Sequence, residues 1–330
     1  MTVPLLILSV SFTLFLLLGV PVAFSIGLSA LATLLYEGLP LEVGFQQMTS
    51  GMGVFSFLAI PFFIFAGELM LYGGIADRIV NFARNLIGHV RGGLGMSNVV
   101  ACTLFGGVSG SPVADVSAMG AVMIPMMKKE GYHADYAVNV TTHAALVGAL
   151  MPTSHNIIIY ALAAGGKVSI AALILAALVP ALVLTISNLV AAYAVAVKRG
   201  YPKGTFPGWD IVARSFAAAL PGLFVVVLIL GGILSGIFTA TESAAVAVLY
   251  ALGLTIFLYK SLKWEHFIKA ASKAVRTTGV ILLLIGISST FGYLISLYGV
   301  AELTGKMLAE VTTTPWMVFL LINIILFVLG

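Results

Sequence analysis

Long stretches without a single Asp, Glu, Lys or Arg constrain this chain more than any other feature. Most of them reach the roughly 20 apolar residues that one helix needs to cross a bilayer. They cover residues 1–36, 43–67, 92–114, 136–166, 168–197, 215–241, 243–259, 277–301 and 311–330. Only 8% of the 330 residues are charged and 61% are hydrophobic, whereas a soluble domain carries about 25% charge. The sequence therefore predicts an all-α polytopic membrane protein, which excludes soluble enzymes and nucleic-acid readers.

Two simple counts narrow the chemistry further. Cys102 is the only cysteine, so the chain has neither a disulfide framework nor a thiolate metal cluster. The net charge is +4. In a membrane protein an excess of basic residues usually reflects the orientation of the chain, because basic loops lie on the cytoplasmic side.

The stretch between Arg91 and Lys128 has an informative length. Its 36 residues contain one charge, Asp115. As a helix it would be about 54 Å long, too long for one crossing and cramped for two. Its centre, residues 106–112 (GGVSGSP), cannot continue a helix comfortably. We expect a re-entrant hairpin over residues 92–128, with its tip near the middle of the membrane.

Three more irregular segments are predicted. Residues 133–164 are overlong for one span and are interrupted by Met151-Pro152-Thr153-Ser154-His155-Asn156, which indicates a broken helix. Residues 1–36 break at Gly19-Val20-Pro21 into two short crossings. Residues 75–90 carry apolar and polar side chains on different helical faces, which is typical of an amphipathic arm helix at the membrane surface.

Similar short motifs recur in the same order in both halves of the chain. Leu71-Tyr72-Gly73 resembles Leu297-Tyr298-Gly299, 226 residues later, and Gly19 with its neighbours resembles the segment at Gly236. Phe45 and Phe267 each fall in a polar segment that we interpret as a loop. The first repeat, residues 1–205, would contain five crossings besides the hairpin. The second, residues 206–330, would therefore enter the membrane inverted.

The repeat register also predicts that the chain is a fragment of a longer membrane protein. Gly106 and Gly107 should recur near position 332, so the second repeat is expected to stop at the tip of a second hairpin, after a half-helix over residues 316–329. We expect the second repeat to be incomplete.

Charge counting gives an orientation. With the N-terminus in the periplasm, the outer segments hold only Lys167 and Lys306. The predicted cytoplasmic segments hold the other fourteen basic residues: Arg78, Arg84, Arg91, Lys128, Lys129, Lys198, Arg199, Lys203, Arg214, Lys260, Lys263, Lys269, Lys273 and Arg276. This is a strong positive-inside bias.

Inverted repeats with hairpins and broken helices are typical of secondary transporters, which bind substrate and coupling ion at half-helix ends. Carbonyl groups near Gly106 and Gly107 suit a cation, and free N–H groups near Pro112 and Val113 suit an anion. Ser109, Ser111, Thr153 and Ser154 add neutral oxygens. The alternative is that these small residues only permit close helix packing.

Other readings of single residues remain open. Gly107-Val108-Ser109-Gly110 matches the G-x-S-G of intramembrane serine proteases, with His143 or His155 as base. Asp115 would ligate an ion or brace the hairpin tip, and Glu242 would act in the membrane or begin a helix as a first-turn acid. His155 and Asn156 would face substrate or satisfy the broken backbone.

Two long motifs resemble one known family. They are Phe105-Gly106-Gly107-Val108-Ser109-Gly110-Ser111-Pro112-Val113-Ala114-Asp115, followed by Ile124-Pro125-Met126-Met127, and Gly236-Ile237-Phe238-Thr239-Ala240-Thr241-Glu242-Ser243-Ala244-Ala245. The chain resembles, over essentially its whole length, the large membrane subunit of tripartite ATP-independent periplasmic (TRAP) transporters, the DctM-like family. Ala240 stands where the family often has proline.

The resemblance implies an elevator-type, sodium-coupled importer of organic anions such as C4-dicarboxylates or sialic acids in the bacterial inner membrane. It also implies two partners, a small four-helix membrane subunit and a periplasmic substrate-binding protein. Its sodium site would fall on Ser109, Gly110, Ser111, Gly148, Met151, Pro152 and Thr153. If the second repeat is incomplete, we expect a second sodium site to be incomplete too, and the chain not to transport alone. For the substrate carboxylate we name Pro112, Val113, Ser154 and Asn156. No catalytic residue is expected, and the class-level alternative is a non-transporting assembly subunit.

Overall fold

The computed structural model describes residues 3–164, 168–311 and 314–329. Within these ranges the chain is helical, and the isolated pairing of extended backbone that they contain joins Arg91 to Lys203. The helices are α1 (Val3–Leu17), α2 (Val22–Tyr36), α3 (Leu41–Met52), α4 (Ala59–Tyr72), α5 (Ile75–Ile87), α6 (Gly93–Ser109), α7 (Pro112–Lys129), α8 (Ala134–Ala145), α9 (His155–Ala163), α10 (Ile170–Lys198), α11 (Trp209–Leu234), α12 (Ala240–Gly253), α13 (Trp264–Leu297), α14 (Val300–Val311) and α15 (Pro315–Leu329).

Five helical segments of the described chain are long and apolar enough to cross a membrane. They are Phe55–Tyr72, which includes α4, together with α10, α11, Ala240–Leu258 and α13. Ala134–Leu150 and His155–Ala161 qualify together as a pair bent by 45°, which would make a sixth span. The prediction of an all-α polytopic membrane protein is therefore confirmed.

The irregular segments lie where the sequence predicts them. Within the predicted segment 1–36, residues 3–36 form α1 and α2, which are separated by a turn in which Gly19 has a φ of +77°. The arm segment is α5, whose apolar face is buried and whose polar face includes the exposed Arg84. The hairpin is α6 and α7, and the broken helix is α8 and α9. In each case glycine, proline or a cluster of small polar residues ends the helix.

The two predicted repeats have a similar glycine turn but differ in one helical segment. Gly19 and Gly236 both adopt a left-handed conformation between two helices. In the first half, α3 ends at Met52 and a separate helical segment begins at Phe55, whereas α13 runs unbroken over 34 residues. No glycine or proline occurs in α13 before Gly279, so the segment around Phe267 is helical rather than a loop. Phe45 also lies in a helix, α3. The division into repeats at residues 205 and 206 stays a prediction.

The chain forms two compact units. The smaller is drawn from Met1–Val54 and Gly279–Gly330. Inside it Leu8, Ala30 and Leu34 pack with Leu294, and the Thr290 hydroxyl donates a hydrogen bond to the Gly44 carbonyl at 3.0 Å.

The larger unit, Phe55–Thr278, contains both the hairpin and the broken helix. Its apolar core includes side chains from α4, α5, α6, α11 and α12, among them Phe63, Ile79, Phe105, Ile229 and Ala247. The helix breaks are therefore held inside a well-packed body rather than on a flexible connection.

Candidate functional site

The hairpin reverses over two residues. Gly110 follows α6 with a φ of +62°, a left-handed conformation that glycine adopts without the strain of a Cβ atom. Its N–H donates to the Gly106 carbonyl at 2.8 Å. The Ser111 side chain then caps α7 by accepting from the Ala114 N–H at 3.4 Å, and Pro112 occupies the first turn. This is a standard helix end followed by a standard helix start.

The second break is wider. After α8 the chain tightens into a 3₁₀ turn over Leu146–Leu150, and Met151 is extended. The Ser154 N–H donates to the Met151 carbonyl at 2.8 Å, and the Ser154 hydroxyl accepts from the Asn156 N–H at 3.3 Å. Local side-chain and main-chain bonds thus satisfy backbone groups that a helix would otherwise pair.

The two breaks meet. The Thr153 hydroxyl lies 3.1 Å from the Gly107 carbonyl oxygen and 3.4 Å from that of Gly106. A Cβ atom placed on Gly110 would collide with the Thr153 carbonyl and the Ser154 nitrogen. Gly110 is therefore required both by its backbone angle and by this close approach.

Asp115 lies at the same junction and is fully buried. One carboxylate oxygen, Oδ1, accepts a hydrogen bond from the Ser109 hydroxyl, which ties the end of α6 to the first turn of α7. The other oxygen, Oδ2, is buried and has no hydrogen-bond donor among the described residues. A Cβ atom on Gly106 would lie 2.9 Å from Oδ2, and one on Gly148 would also clash with it. The two glycines thus make room for an acceptor that lacks a partner.

The seven residues proposed for sodium all lie on the two helix breaks, but only some of them make contacts at the junction. Contacts across the junction involve Ser109, Gly110, Gly148 and Thr153. Ser111, Met151 and Pro152 lie on the same two breaks, where Ser111 and Met151 make the local bonds just described and Pro152 is buried. Carbonyl, hydroxyl and carboxylate oxygens are thereby concentrated at one place, which is the ligand set that a hard cation prefers.

The four residues proposed for the substrate divide into two groups. Val113 is 74% exposed and Asn156 is exposed, each in the first turn of a half-helix. Pro112 is half-buried, and Ser154 is fully buried and bonded to the Asn156 N–H. The first two lie on the surface of the isolated chain, whereas Ser154 supports the backbone of α9.

Glu242 has a different role from Asp115. It is exposed in the first turn of α12, where its Oε2 accepts from the Thr239 N–H at 2.7 Å while the Thr239 hydroxyl accepts from the Glu242 N–H at 3.2 Å. This reciprocal arrangement is a capping box. Glu242 therefore begins a helix.

Sequence reasoning missed an ion pair with a buried acid and a buried hydrogen-bond chain. The Glu68 carboxylate lies 2.7 Å from the amino group of Lys273, which is exposed, whereas Glu68 is 3% exposed near the end of the span Phe55–Tyr72. Asn98 donates to the Thr141 hydroxyl at 2.6 Å and lies 3.4 Å from the Cys102 sulfur, which joins α6 to α8. An acid directly after Gly67 in an apolar helix was a usable signal for the first. No pattern pointed to the second.

The histidines of the protease hypothesis are not partners of Ser109 in this structure. The Ser109 hydroxyl is bonded to Asp115, and the His143 Nδ1 atom lies 2.8 Å from the Asn139 carbonyl on its own exposed helix face. No hydrogen bond joins Ser109 to His143 or to His155 in the described part of the chain, so the histidine base that this hypothesis requires is not in place.

Comparison with known proteins is consistent over nearly the whole chain. Residues 9–330 match the family described as the tripartite ATP-independent periplasmic transporter, DctM component. The sialic acid TRAP transporter large permease protein SiaM of Vibrio cholerae is 37% identical over 94% of this chain and 73% of its own length. The C4-dicarboxylate large permease protein DctM of Rhodobacter capsulatus is 32% identical over 95% and 74%. The isethionate permease protein DctMQ of Oleidesulfovibrio alaskensis is 32% identical over 97% and 50%.

These relatives are permeases, so the protein is a transporter component rather than an enzyme, and the intramembrane protease hypothesis for Ser109 is wrong. The resemblance seen in the hairpin motif and in the motif before α12 is confirmed. On the family match and on the identity with several large permease proteins, the chain belongs to the DctM component family of tripartite ATP-independent periplasmic transporters.

Proposed function

We propose that this chain couples the entry of Na⁺ to the uptake of a carboxylate-bearing solute across the bacterial inner membrane. The observation that carries the proposal is the junction of the two helix breaks around Asp115 Oδ2, a buried acceptor with no donor among the described residues. A fully buried carboxylate without a cationic partner is costly when ionised. A bound cation would lower that cost.

Na⁺ suits the groups that surround this oxygen. Sodium takes mostly neutral oxygen ligands, and the junction offers the Thr153 hydroxyl with the Gly106 and Gly107 carbonyls. Ser109, Gly110, Ser111, Gly148, Met151, Pro152 and Thr153 form the proposed ligand set. Asp115 contributes the negative charge and holds the Ser109 hydroxyl in place.

For the solute we propose a carboxylate at the start of α7. The first N–H groups of a helix have no partner inside it and favour anions, and the exposed Val113 marks this end as reachable. Asn156, exposed at the start of α9, is the proposed second contact. Relatives named for sialic acid and C4-dicarboxylate support a carboxylate substrate.

The same proposal includes partners and orientation. The family is tripartite, and we expect a small four-helix membrane subunit and a periplasmic binding protein that delivers the solute. We propose an elevator mechanism in which the larger unit, which holds both breaks, moves with its cargo. The charge count supports an N-terminus in the periplasm. A cysteine introduced at Gly200 should resist an impermeant reagent applied from outside, and its labelling would contradict this orientation.

Sodium binding can be tested on the purified chain, independently of uptake. A ligand that binds only the folded state stabilises it more as the ligand concentration rises above its Kd, so Na⁺ should raise the melting temperature when exchanged for K⁺ at constant ionic strength. The double variant Ser109→Ala, Thr153→Ala should lose this shift. Thr239→Ala is the control, because it removes a hydroxyl from a local cap. An unchanged sodium response in the double variant would refute the site.

Uptake separates a transporter from a non-transporting assembly subunit. Joined to the C-terminal segment of a longer relative and reconstituted with the partner subunits, the Ser109→Ala, Thr153→Ala variant should need a higher Na⁺ concentration for half-maximal uptake than the same chimera without the substitutions. Uptake that proceeds equally well in K⁺ would contradict the sodium coupling.

A further inference from the structure

The larger unit contains a second polar region, well separated in sequence from the junction. It is a cavity of about 480 Å³ between the end of α5, the end of α7 and the loop after α10. Arg84, Asn85, Glu130, Tyr132, Lys203 and Thr205 lie on its wall. This volume is typical of sites for small ligands. Nothing in the proposed transport reaction uses it.

The wall carries one loose ion pair and one unpaired cation. The Arg84 guanidinium lies 3.7 Å from the Glu130 carboxylate, which is beyond hydrogen-bond distance. Within the described ranges, the Lys203 side chain makes neither an ion pair nor a hydrogen bond. Two cations against one carboxylate leave the wall with a net positive charge.

The neutral donors of the wall are also available. The Asn85 amide and the Thr205 hydroxyl have no hydrogen-bond partner in the described part of the chain. A guanidinium, an ammonium, an amide and a hydroxyl together are donors suited to the oxygens of one anion. Glu130 is the single group on the wall that would repel it.

The backbone that carries these groups is fixed. The Gly92 N–H donates to the Pro202 carbonyl at 3.0 Å, beside the pairing of Arg91 with Lys203. A Cβ atom on Gly204 would lie 2.5 Å from the Gly88 carbonyl oxygen, so the loop and the end of α5 touch. Tyr132 is buried against Tyr201, with ring centroids 4.4 Å apart. A site whose walls are held in this way loses little entropy on binding.

We propose that this cavity binds a phosphate group, either in the headgroup of an anionic phospholipid or as free phosphate. Phosphate accepts charge-assisted hydrogen bonds from arginine and lysine. Both Arg84 and Lys203 belong to the basic residues that the charge count assigns to the cytoplasmic side, where anionic headgroups attract such side chains.

Lipid retention gives the first test. The protein is placed in nanodiscs that contain phosphatidylglycerol and phosphatidylcholine and is then released into the gas phase. Native mass spectrometry measures how many lipid molecules stay bound to it. The Arg84→Gln, Lys203→Gln variant should retain about tenfold less phosphatidylglycerol than the parent chain. Lys128→Gln, Lys129→Gln removes the same charge from exposed positions outside the cavity and should retain it. Equal losses in the two variants would show general surface attraction and would overturn the site.

A second test separates the two sources of phosphate. Inorganic phosphate is titrated into protein in pure phosphatidylcholine nanodiscs and followed by ³¹P NMR. Saturable binding that the double variant loses identifies free phosphate, and no binding together with selective lipid retention identifies the headgroup. Absence of both effects overturns the proposal. If the double variant fails size-exclusion analysis, Lys203→Gln alone carries the test, because Lys203 is exposed, and Lys203→Arg should restore binding.

Discussion

Asp115 and Glu242 both lie in the first turn of a helix that follows a left-handed glycine, Gly110 in one case and Gly236 in the other. In both places a hydroxyl side chain caps the helix. Around Asp115, a second broken helix packs across the turn, and one carboxylate oxygen is buried without a donor within the described chain. Around Glu242, the carboxylate is exposed and bonded to Thr239 within its own turn.

The comparison shows what converts a helix start into a candidate site. Capping chemistry is local and is satisfied by residues three positions apart. A bound cation needs oxygen atoms that still lack a donor after the local hydrogen bonds have formed. Such oxygens occur where two interrupted helices pack against each other. The predictions below test whether this difference holds.

The largest effect is expected at the turn glycines. Gly110→Ala should lower the free energy of unfolding by about 3 kcal/mol or more, because it combines left-handed strain with a clash against the Thr153 carbonyl. Gly236→Ala should cost only about 1 kcal/mol, since nothing lies within 4 Å of its Cβ position. Denaturant or thermal unfolding in detergent measures both. Equal losses would mean that the close approach of the two breaks contributes nothing.

The next effect concerns charge. Asp115→Asn should weaken sodium binding at least tenfold, because it removes the one negative charge at the junction of the two breaks while keeping an acceptor for Ser109. Glu242→Gln should leave sodium binding unchanged. The sodium-dependent shift in melting temperature is the measurement. A loss of sodium response in Glu242→Gln would remove the distinction between the two carboxylates.

Removing the two capping hydroxyls should affect stability and sodium binding differently. Thr239→Ala should cost about 1 kcal/mol of stability, since its cap bond is 3.2 Å long and part of a reciprocal pair. Ser111→Ala should cost less, because its cap bond is 3.4 Å long. Sodium affinity should fall only in Ser111→Ala. The opposite pattern, measured by melting with and without Na⁺, would assign Ser111 a purely structural role.

The smallest effect is expected outside both regions. Arg199 donates two hydrogen bonds to Asp135, at 2.8 and 3.0 Å, on an exposed surface, and this contact raises the pKa of the Arg199 guanidinium. Exposed pairs contribute little because water and salt screen them. In 0.5 M salt the Debye length is roughly 4 Å, so the attraction between the two charges is largely screened. The melting temperature of Arg199→Gln in this salt should therefore be close to that of the parent chain. A large drop there would show that this pair does more than bridge α8 and α10.

The helix interruptions could be predicted from sequence because their causes are local. Clusters of glycine, proline and serine disfavour a helix, so the breaks at Gly110 and at residues 151–154 were predictable to within a few residues, whereas the single prolines Pro125, Pro180 and Pro221 lie inside helices. The unbroken α13 was not predicted. Its charged first half was interpreted as a loop, although nothing between Trp264 and Gly279 interrupts a helix.

The partners across the site could not be predicted, because they depend on packing between distant segments. The Glu68–Lys273 ion pair joins an apolar span to a charged segment far along the chain. The contact of Thr153 with the Gly107 carbonyl has the same origin. Sequence patterns identify which residues interrupt helices, whereas three-dimensional packing decides which interruptions face one another.

The burial of Cys102 has a practical consequence for experiments on this protein. Its thiol is 0% exposed inside α6 and is held toward Asn98. A maleimide reagent therefore has no access to it in the folded state, and cysteines introduced for fluorescence, spin labels or cross-linking can be studied without first replacing it. Labelling of the native thiol also reports local unfolding, because a reagent reaches Cys102 only when the packing around α6 has opened.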